Sequence, residues 1–108
     1  MSKTIKFEQF SEIEMKIGKV LSAERVKDSE KLIKVMVDIG YEKRQVVAGF
    51  GKFLAPEDLI GKQVPIAVNI EPAKLMGVES QGVFIAIDPG GAVLLTPEED
   101  VPNGSKVW

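Results

Sequence analysis

The sequence predicts an all-β fold, and three observations support that prediction. Short runs of alternating apolar and polar residues recur along the 108-residue chain, as expected for half-buried strands. Segments rich in glycine, proline and other turn formers separate these runs. A single short segment, residues 56–59, has the signals of a helix, because a proline and two acids lie in its first turn and Gly61 can end it.

The first two strands are the most clearly patterned. Apolar and charged residues alternate over residues 12–17, and Gly18, which interrupts this run before Val20 and Leu21, predicts a bulge or a sharp bend. The second strand lies within residues 31–40, where three β-branched residues share one face of a strand, namely Val35, Val37 and Ile39. A helix starting at Ser29 would also group apolar residues here, but the β-branched residues and neighbouring turn signals favour a strand.

The remaining strands are predicted at residues 44–50, 63–70 and 82–88. Pro65 lacks an N–H donor and therefore predicts an edge or a bulge in the fourth strand. Residues 69–82 form a long loop before the fifth strand, and loops of this length are more often functional than short ones. A C-terminal extension with a further apolar run at residues 92–96 and a turn at residues 103–104 follows.

Three strands, a short helix and two more strands, with a glycine in a long first strand, is the order of an OB-fold, a five-stranded Greek-key barrel. Strand order alone does not exclude an SH3-like barrel, which also consists of short strands. In an OB-fold, the loops joining strands 1–2 and strands 4–5 flank a surface that binds oligonucleotides or oligosaccharides. These loops correspond to residues 24–31 and 69–82. We expect a single domain over residues 1–108.

The composition excludes several classes of function. The chain has no histidine and no cysteine, so the usual general base, the thiol nucleophile and the commonest zinc ligands are absent. Acid pairs at a recognisable catalytic spacing are also missing. We therefore expect no enzymatic activity, no cofactor and no metal. The N-terminus lacks the apolar core of a signal peptide and no stretch is long enough to span a bilayer, so we expect a cytoplasmic protein without membrane contact.

The charge is unevenly distributed. The net charge is −2, yet residues 1–54 carry 11 Lys/Arg against 8 Asp/Glu, whereas residues 55–108 carry 3 against 8. A basic patch in the first half is therefore compatible with the acidic whole. On composition alone, ordinary solvated charge is the favoured interpretation.

Several segments together resemble the tRNA-binding domain of methionyl-tRNA synthetase, namely KIGKVLSAE, SEKLIKVMVDIG, VVAGF, PEDLIGKQV and NIEPAKLMGVESQG. The resemblance extends from about Phe7 to the end of the chain. The family also includes free-standing, structure-specific tRNA-binding proteins. The resemblance implies an OB-fold homodimer without catalytic activity, which binds folded tRNA by shape and phosphate contacts. It would assist the catalytic subunit of a methionyl-tRNA synthetase, as a detached subunit or an excised domain, or act as a free tRNA-binding protein. One branch of this family is associated with protein export. A dimeric, chaperone-like module that binds unfolded peptide is therefore the alternative.

The candidate RNA-binding residues come from the two loops. By resemblance they include Asn69, Lys74 and Ser80 in the long loop and Lys31 at the start of strand 2, and the nearby basic residues add Arg25, Lys27 and Lys34. Some of them have other uses: Ser80 can bond to the backbone of its own loop, Asn69 can tie the loop down, and the basic residues alternate with acids. Gly77 and Gly82 are expected to supply unusual backbone angles. Met76 replaces the arginine, and Val83 the methionine, that relatives commonly carry.

Aromatic residues are few. We expect all five phenylalanines in the core and only Tyr41 and Trp108 at the surface. Single-strand binders of this fold stack bases on aromatic side chains. A shortage of such platforms favours recognition of the shape of a folded RNA.

Overall fold

The computed structural model describes residues 2–108, and its regular elements are mostly strands. They are α1 (Phe7–Ser11), β1 (Met15–Arg25), β2 (Ile33–Asp38), β3 (Lys43–Ala48), a 3-10 helix (Pro56–Asp58), β4 (Gln63–Ala67), β5 (Ala73–Leu75), β6 (Val78–Ser80), β7 (Val83–Phe84), β8 (Ala86–Ile87), β9 (Val93–Leu94) and β10 (Lys106–Val107). The all-β prediction is confirmed. The five-residue α1 was not predicted, because so short a segment shows no helical periodicity.

One curled antiparallel sheet organises the chain, with strand order β3-β2-β1-β4-β7 and β10 added to β1. The long β1 makes this possible, because its second half pairs with β2 while its first half pairs with β4. The order, together with the short helix between β3 and β4, is that of an OB-like barrel, as predicted. No ladder joins β3 to β7 within residues 2–108, so the sheet stays open between its two ends.

The core lies inside the curled sheet and follows the alternation of its strands. Every second residue of β2 is buried, and the predicted common face of Val35, Val37 and Ile39 is confirmed, since all three are fully inaccessible to solvent. The rest of the core comes from the start of β2, from β1, β3 and β4 and the residue after β4, and from the end of the 3-10 helix, namely Val20, Ile33, Val46, Leu59, Val64, Ile66 and Val68.

Gly18 does not form the predicted bulge. The register between β1 and β2 shifts later, between Val20 and Ser22. A Cβ atom on Gly18 would lie 3.3 Å from Ile39 Cγ2 and 3.4 Å from Ile66 Cγ1. The glycine therefore leaves room for Ile39, which follows β2, and for Ile66 of β4 to pack against β1.

The predicted short helix is confirmed as the 3-10 helix. Its following turn is fastened to β1, because the Gly61 N–H donates to the Val20 carbonyl at 2.8 Å and the Val20 N–H donates to the Lys62 carbonyl at 2.9 Å. Gly61 has φ +84°, a conformation that glycine adopts without strain. This attachment holds Leu59, at the end of the 3-10 helix, fully buried in the main core.

The expected bulge at Pro65 is wrong, because the register of β4 with β1 is continuous through Pro65, which lies opposite Ile17. The alternative expectation, an edge, is compatible with the structure at this point, since within residues 2–108 the ladder of β4 with β7 contains only Ile66 and Ala67 of β4. Ile17 donates its N–H to Ser105 and accepts from Gly104 instead. A residue at this point of β4 therefore needs no N–H to complete the ladder with β1.

The predicted fifth strand is divided into β7 and β8. The C-terminal extension pairs with two different strands, β8 and β1. β7 pairs with β4, whereas β8 turns away and pairs with β9. At the turn between β8 and β9, the Asp88 carboxylate accepts hydrogen bonds from the N–H groups of Gly90 and Gly91. β10 then pairs with the start of β1.

The placement of the phenylalanines is partly wrong. Phe50 and Phe84 pack edge to face with ring centroids 5.0 Å apart at the border of the core. Phe7, Phe10 and Phe53 are 77%, 44% and 59% exposed. Their apolar neighbours in sequence suggested burial, but the elements that carry them lie on the outside of the barrel.

Candidate nucleic-acid interface

A small second core joins the two predicted binding loops. Val26 and Leu32, at the two ends of the first loop, are buried together with Val47 of β3, and Val78 of β6 packs against them. The first loop (residues 26–32) and the β5–β6 hairpin (residues 73–80) are therefore held side by side on the outer face of β3. This arrangement agrees with the position expected for the two loops of an OB-fold.

Hydrogen bonds fix the 26–32 loop internally. The Val26 N–H donates to the Leu32 carbonyl at 3.0 Å. The Ser29 hydroxyl accepts from the N–H groups of Lys31 and Leu32. Asp28 occupies the left-handed region with φ +64°, which aspartate tolerates better than most residues. The loop is therefore a defined turn.

Arg25 secures this loop to the rest of the barrel. Its Nη1 donates to the carbonyls of Gly51, at 2.6 Å, and Glu30, at 3.1 Å. The Gly51 N–H in turn donates to the Lys31 carbonyl at 2.7 Å. A Cβ on Gly51 would lie 2.7 Å from that carbonyl oxygen, so the close approach requires glycine. Arg25, a predicted contact residue, thus has a positioning role in the free protein.

The predicted long loop at residues 69–82 is largely a β-hairpin. β5 and β6 pair with Lys74 opposite Glu79, and the two residues between them, Met76 and Gly77, have φ +51° and +80°. Two successive positive φ values are typical of a type I′ hairpin turn. The prediction that Gly77 supplies an unusual backbone angle is confirmed, and all three residues of β5 are exposed.

Gly82 is constrained for a different reason from the one expected. Its φ is not in the left-handed region. A Cβ there would lie 2.9 Å from the Ala67 carbonyl oxygen and 3.2 Å from Ile66 Cγ2. The absence of a side chain therefore allows the chain to pass close to β4.

Ser80 and Gln81 bridge the open side of the sheet. The Ser80 hydroxyl accepts from the Val47 N–H at 2.9 Å and donates to the Gly82 carbonyl at 3.0 Å. The Gln81 N–H donates to the Gln45 carbonyl at 2.8 Å, and the Gln81 side-chain oxygen accepts from the Gln45 N–H at 3.1 Å. Ser80 is only 7% exposed. The structure thus gives this predicted contact residue a structural place in the barrel wall.

Asn69 is also engaged within the protein. Its side-chain oxygen accepts from the Glu14 N–H at 2.7 Å, and its side-chain nitrogen donates to the Glu12 carbonyl at 2.6 Å. The Val68 N–H donates to the Glu14 carbonyl beside them. The amide therefore clamps the chain between α1 and β1 onto the end of β4.

The predicted lysines differ in whether they form an ion pair. Lys34 pairs with Glu24 on the neighbouring strand at 2.7 Å. Lys27, Lys31 and Lys74 are exposed and make no ion pair within residues 2–108. The 26–32 loop and the β5–β6 hairpin, which carry these three lysines, are held together by the cluster of Val26, Leu32, Val47 and Val78. Such ammonium groups can each donate to a phosphate oxygen.

Sequence reasoning missed Lys52 as a neighbour of this surface. It is exposed and follows Gly51, whose backbone bonds to Arg25 and Lys31. The contact joins residues about twenty positions apart in the chain, and nothing in the local sequence indicates it. Of the predicted set, Lys27, Lys31 and Lys74 are surface cations, whereas Arg25, Asn69 and Ser80 hold the framework.

Two other kinds of site are not found in residues 2–108. The described chain contains no group of three or more acids placed to hold a metal ion. The longest helix there has five residues, and none has the length and apolar character needed to cross a bilayer.

Comparisons with known proteins identify the chain's relatives. Residues 15–106 match the family model described as "Putative tRNA binding domain". The chain is 52% identical over 101 residues to a methionine–tRNA ligase of Methanothrix thermoacetophila, which covers 93% of this chain but 15% of the ligase. The chain thus spans about one-sixth of the length of the curated relatives it matches.

Solved structures show the same fold. A methionyl-tRNA synthetase-related protein of Pyrococcus horikoshii superimposes with a TM-score of 0.92 at 39% identity, over 99% of this chain and 100% of that one. The chaperone CsaA of Bacillus anthracis superimposes with a TM-score of 0.88 at 33% identity, over 98% and 100% of the two chains. This chain belongs to the tRNA-binding-domain family.

Proposed function

We propose that the chain is a non-catalytic module that docks on folded tRNA through the 26–32 loop and the β5–β6 hairpin. The observation that carries this proposal is the cluster of Val26, Leu32, Val47 and Val78, which holds the two elements together. Lys27, Lys31 and Lys74 extend from these elements into solvent. Three cations on a rigid base can match phosphates at fixed spacing.

Recognition by shape fits the chemistry of this surface. The segments 24–32 and 69–82 contain no aromatic residue on which a base could stack. Acidic residues lie among the lysines, including Glu79 directly opposite Lys74. A surface with few, separated cations binds tightly only where several phosphates reach it at once. A folded RNA with a bend or a corner presents such an arrangement.

The remaining predicted residues support this surface. We assign Arg25, Asn69 and Ser80 to positioning, because each side chain is already bonded to backbone groups of the protein. Lys34 has a carboxylate partner, so phosphate binding there must compete with an existing pair. The affinity then depends mainly on Lys27, Lys31 and Lys74.

The curated relatives suggest the biological setting. Their names describe methionine–tRNA ligases of which this chain resembles a small part. We propose that residues 1–108 act as one tRNA-binding domain in the cytoplasm. There it would raise the tRNA affinity of a synthetase catalytic subunit, supplying no catalytic group of its own. The lack of histidine and cysteine is in keeping with that division of labour.

We also propose a homodimer, as the resemblance implies. Several large apolar residues of the fifth-strand region and the extension are exposed, namely Val83, Ile87, Val93 and Leu95. Phe53 is exposed beside Gly91 in the same region. A second copy would cover such a surface and bury on the order of 1,000 Å² or more. Sedimentation at tens of micromolar should show a dimer, and a monomer alone would contradict the proposal.

The alternative is a chaperone-like module that binds unfolded peptide. It is favoured by the 33% identity to a solved chaperone. A cleft of about 280 Å³ beside the β5–β6 hairpin supports it, since the lining includes Phe50, Ile70, Leu75 and Phe84. An extended apolar peptide could bury side chains there.

One pair of titrations separates the two functions. Total tRNA and a permanently unfolded protein should be titrated against the same preparation. We expect saturable tRNA binding that weakens with salt and weaker binding of the unfolded protein. Binding of the unfolded protein that is tight and insensitive to Lys31→Ala and Lys74→Ala, without tRNA binding, would establish the alternative.

A further inference from the structure

A second group of basic residues lies at the opposite end of β1 from the tRNA surface. Lys16 of β1 and Lys106 of β10 are direct partners in an antiparallel pair, so their side chains project from the same face. Arg25 lies nine positions after Lys16 in β1, a path of roughly 30 Å along the strand. The pair is therefore a separate surface.

Each of these lysines is placed over an aromatic ring. The Lys16 Nζ lies 4.9 Å from the centroid of Tyr41, and the Lys106 Nζ lies 5.0 Å from the centroid of Trp108. The two rings are 59% and 97% exposed. Tyr41, Lys16, Lys106 and Trp108 thus form one continuous row, which we call the Lys16–Lys106 patch.

The charge of the patch is not neutralised by the protein. Like charges directly opposite each other destabilise a strand pair, and neither lysine has a carboxylate partner within 4.0 Å in the described residues. A cleft of about 310 Å³ lies beside them between the Ser11–Met15 segment and β10, and Glu14 is the one acid in its lining. One carboxylate does not balance two ammonium groups. The patch is suited to an anion.

The rings of Tyr41 and Trp108 indicate which kind of anion the patch binds. A free phosphate or an acidic peptide would use the lysines but would leave two exposed aromatic faces unused. A nucleotide uses both, because its phosphate accepts from an ammonium group while its base stacks on a ring. We propose that the Lys16–Lys106 patch binds unpaired nucleotides of RNA, with the backbone along the two lysines and bases on Tyr41 and Trp108.

This site differs in mode from the tRNA surface. The 26–32 loop and the β5–β6 hairpin offer cations without rings, whereas the Lys16–Lys106 patch alternates the two. Unpaired nucleotides exist at loops and ends of folded RNAs. The patch can therefore act on the same RNA molecule or on another, and the proposal stands independently of docking at the first surface.

Trp108 provides a direct probe, because it is the only tryptophan in the sequence. A ten-nucleotide oligoadenylate should be titrated at low salt while the tryptophan emission is recorded. We expect saturable quenching. The double variant Lys16→Ala/Lys106→Ala should weaken the apparent Kd about tenfold or more, since two phosphate contacts are lost. Lys19→Ala, which removes an exposed lysine from the same strand, should change it less than twofold.

Two further arms test stacking itself. Tyr41→Ala should weaken the oligonucleotide about fivefold or more. An abasic strand of equal length should bind more weakly and leave the emission nearly unchanged. Absence of quenching, or abasic and adenylate strands that bind equally, would overturn the proposal. Failure of tRNA docking is distinguishable, because Lys31→Ala and Lys74→Ala should weaken tRNA without altering quenching by oligoadenylate.

Discussion

The two strands of the β5–β6 hairpin differ in their relation to the barrel. β6 ends at Ser80, which is buried and bonded to β3, whereas β5 is exposed throughout and carries Lys74. One strand attaches the hairpin and the other presents a charge to solvent. Residues of one contiguous polar segment can therefore have opposite roles, and the burial and bonding of each side chain separate them.

The 26–32 loop shows the same division. Ser29 and the neighbouring Arg25 bond to backbone groups and fix the shape of the loop. Lys27 and Lys31 extend from it. A substitution can therefore alter either the residues that attach these elements or the charges that they expose. The first kind should change stability, and the second should change RNA affinity.

The largest effect is expected from Ser80→Ala. The substitution leaves the buried Val47 N–H without its acceptor, which should cost about 2 kcal/mol, a fall of roughly 10 °C in Tm for a domain of this size. Thermal unfolding followed by circular dichroism measures it. The neighbouring exposed Glu79→Ala should change stability by less than about 0.5 kcal/mol. If the Ser80→Ala protein keeps the parental Tm but binds tRNA more weakly, Ser80 contacts the RNA and its structural assignment is wrong.

Gly77→Val should lower stability by about 1–2 kcal/mol with or without RNA, because valine resists a positive φ. A Cβ at this position would meet no atom within 4 Å, so the cost is one of backbone conformation alone. Gly77→Asn is the matched control, since asparagine tolerates this region. Equal melting temperatures for the two variants would show that the turn relaxes into another conformation.

Lys31→Ala and Lys74→Ala should each weaken tRNA binding roughly tenfold at low salt and lower the salt slope by about one. The Tm should stay within a degree or two, because both side chains are exposed. The losses should add in the double variant if the lysines touch separate phosphates. Lys62→Ala, on the turn after the 3-10 helix, serves as the control. If both single variants bind tRNA with the parental affinity, the 26–32 loop and the β5–β6 hairpin do not contact the RNA.

The smallest effect is expected from Met76→Arg, which places at the hairpin tip the cation that the resemblance implies there. Met76 is 60% exposed and already has φ +51°, so an unbranched arginine should leave the Tm unchanged. Affinity for tRNA should rise severalfold, with a salt slope steeper by about one. Met76→Gln adds length and polarity without charge, and an equal gain there would mean that charge is not the cause.

Much of the fold was predictable because the strands follow simple alternation. The common face of Val35, Val37 and Ile39 is evident from their spacing, and a proline with two acids marks the 3-10 helix. Local sequence signals predicted the positions of bulges less well, because these positions depend on packing between residues that are distant in sequence. Gly18 accommodates Ile39 and Ile66, which lie far away in sequence, and the register shift lies past it, between Val20 and Ser22.

The candidate site was predictable in position but less so in detail. Strand order and resemblance located both loops, and Gly77 was expected to adopt an unusual backbone angle, but the β5–β6 hairpin itself was not predicted. The roles of Ser80 and Asn69 depend on bonds to Val47 and Glu14, and such pairs cannot be found from local sequence. The exposure of Phe7 was also not predictable, because an apolar side chain alone does not show whether another part of the chain packs against it.

Docking by shape and phosphate contacts predicts a defined dependence of tRNA binding on salt. Binding of folded tRNA and of an unstructured RNA of equal length should be measured from low to moderate salt. If Lys27, Lys31 and Lys74 each contact a phosphate, the slope of log K against log salt should be about −2 to −3, and the folded RNA should bind more tightly at every salt concentration. Affinity that does not change with salt, or equal affinity for the two RNAs, would contradict docking by shape and phosphate contacts.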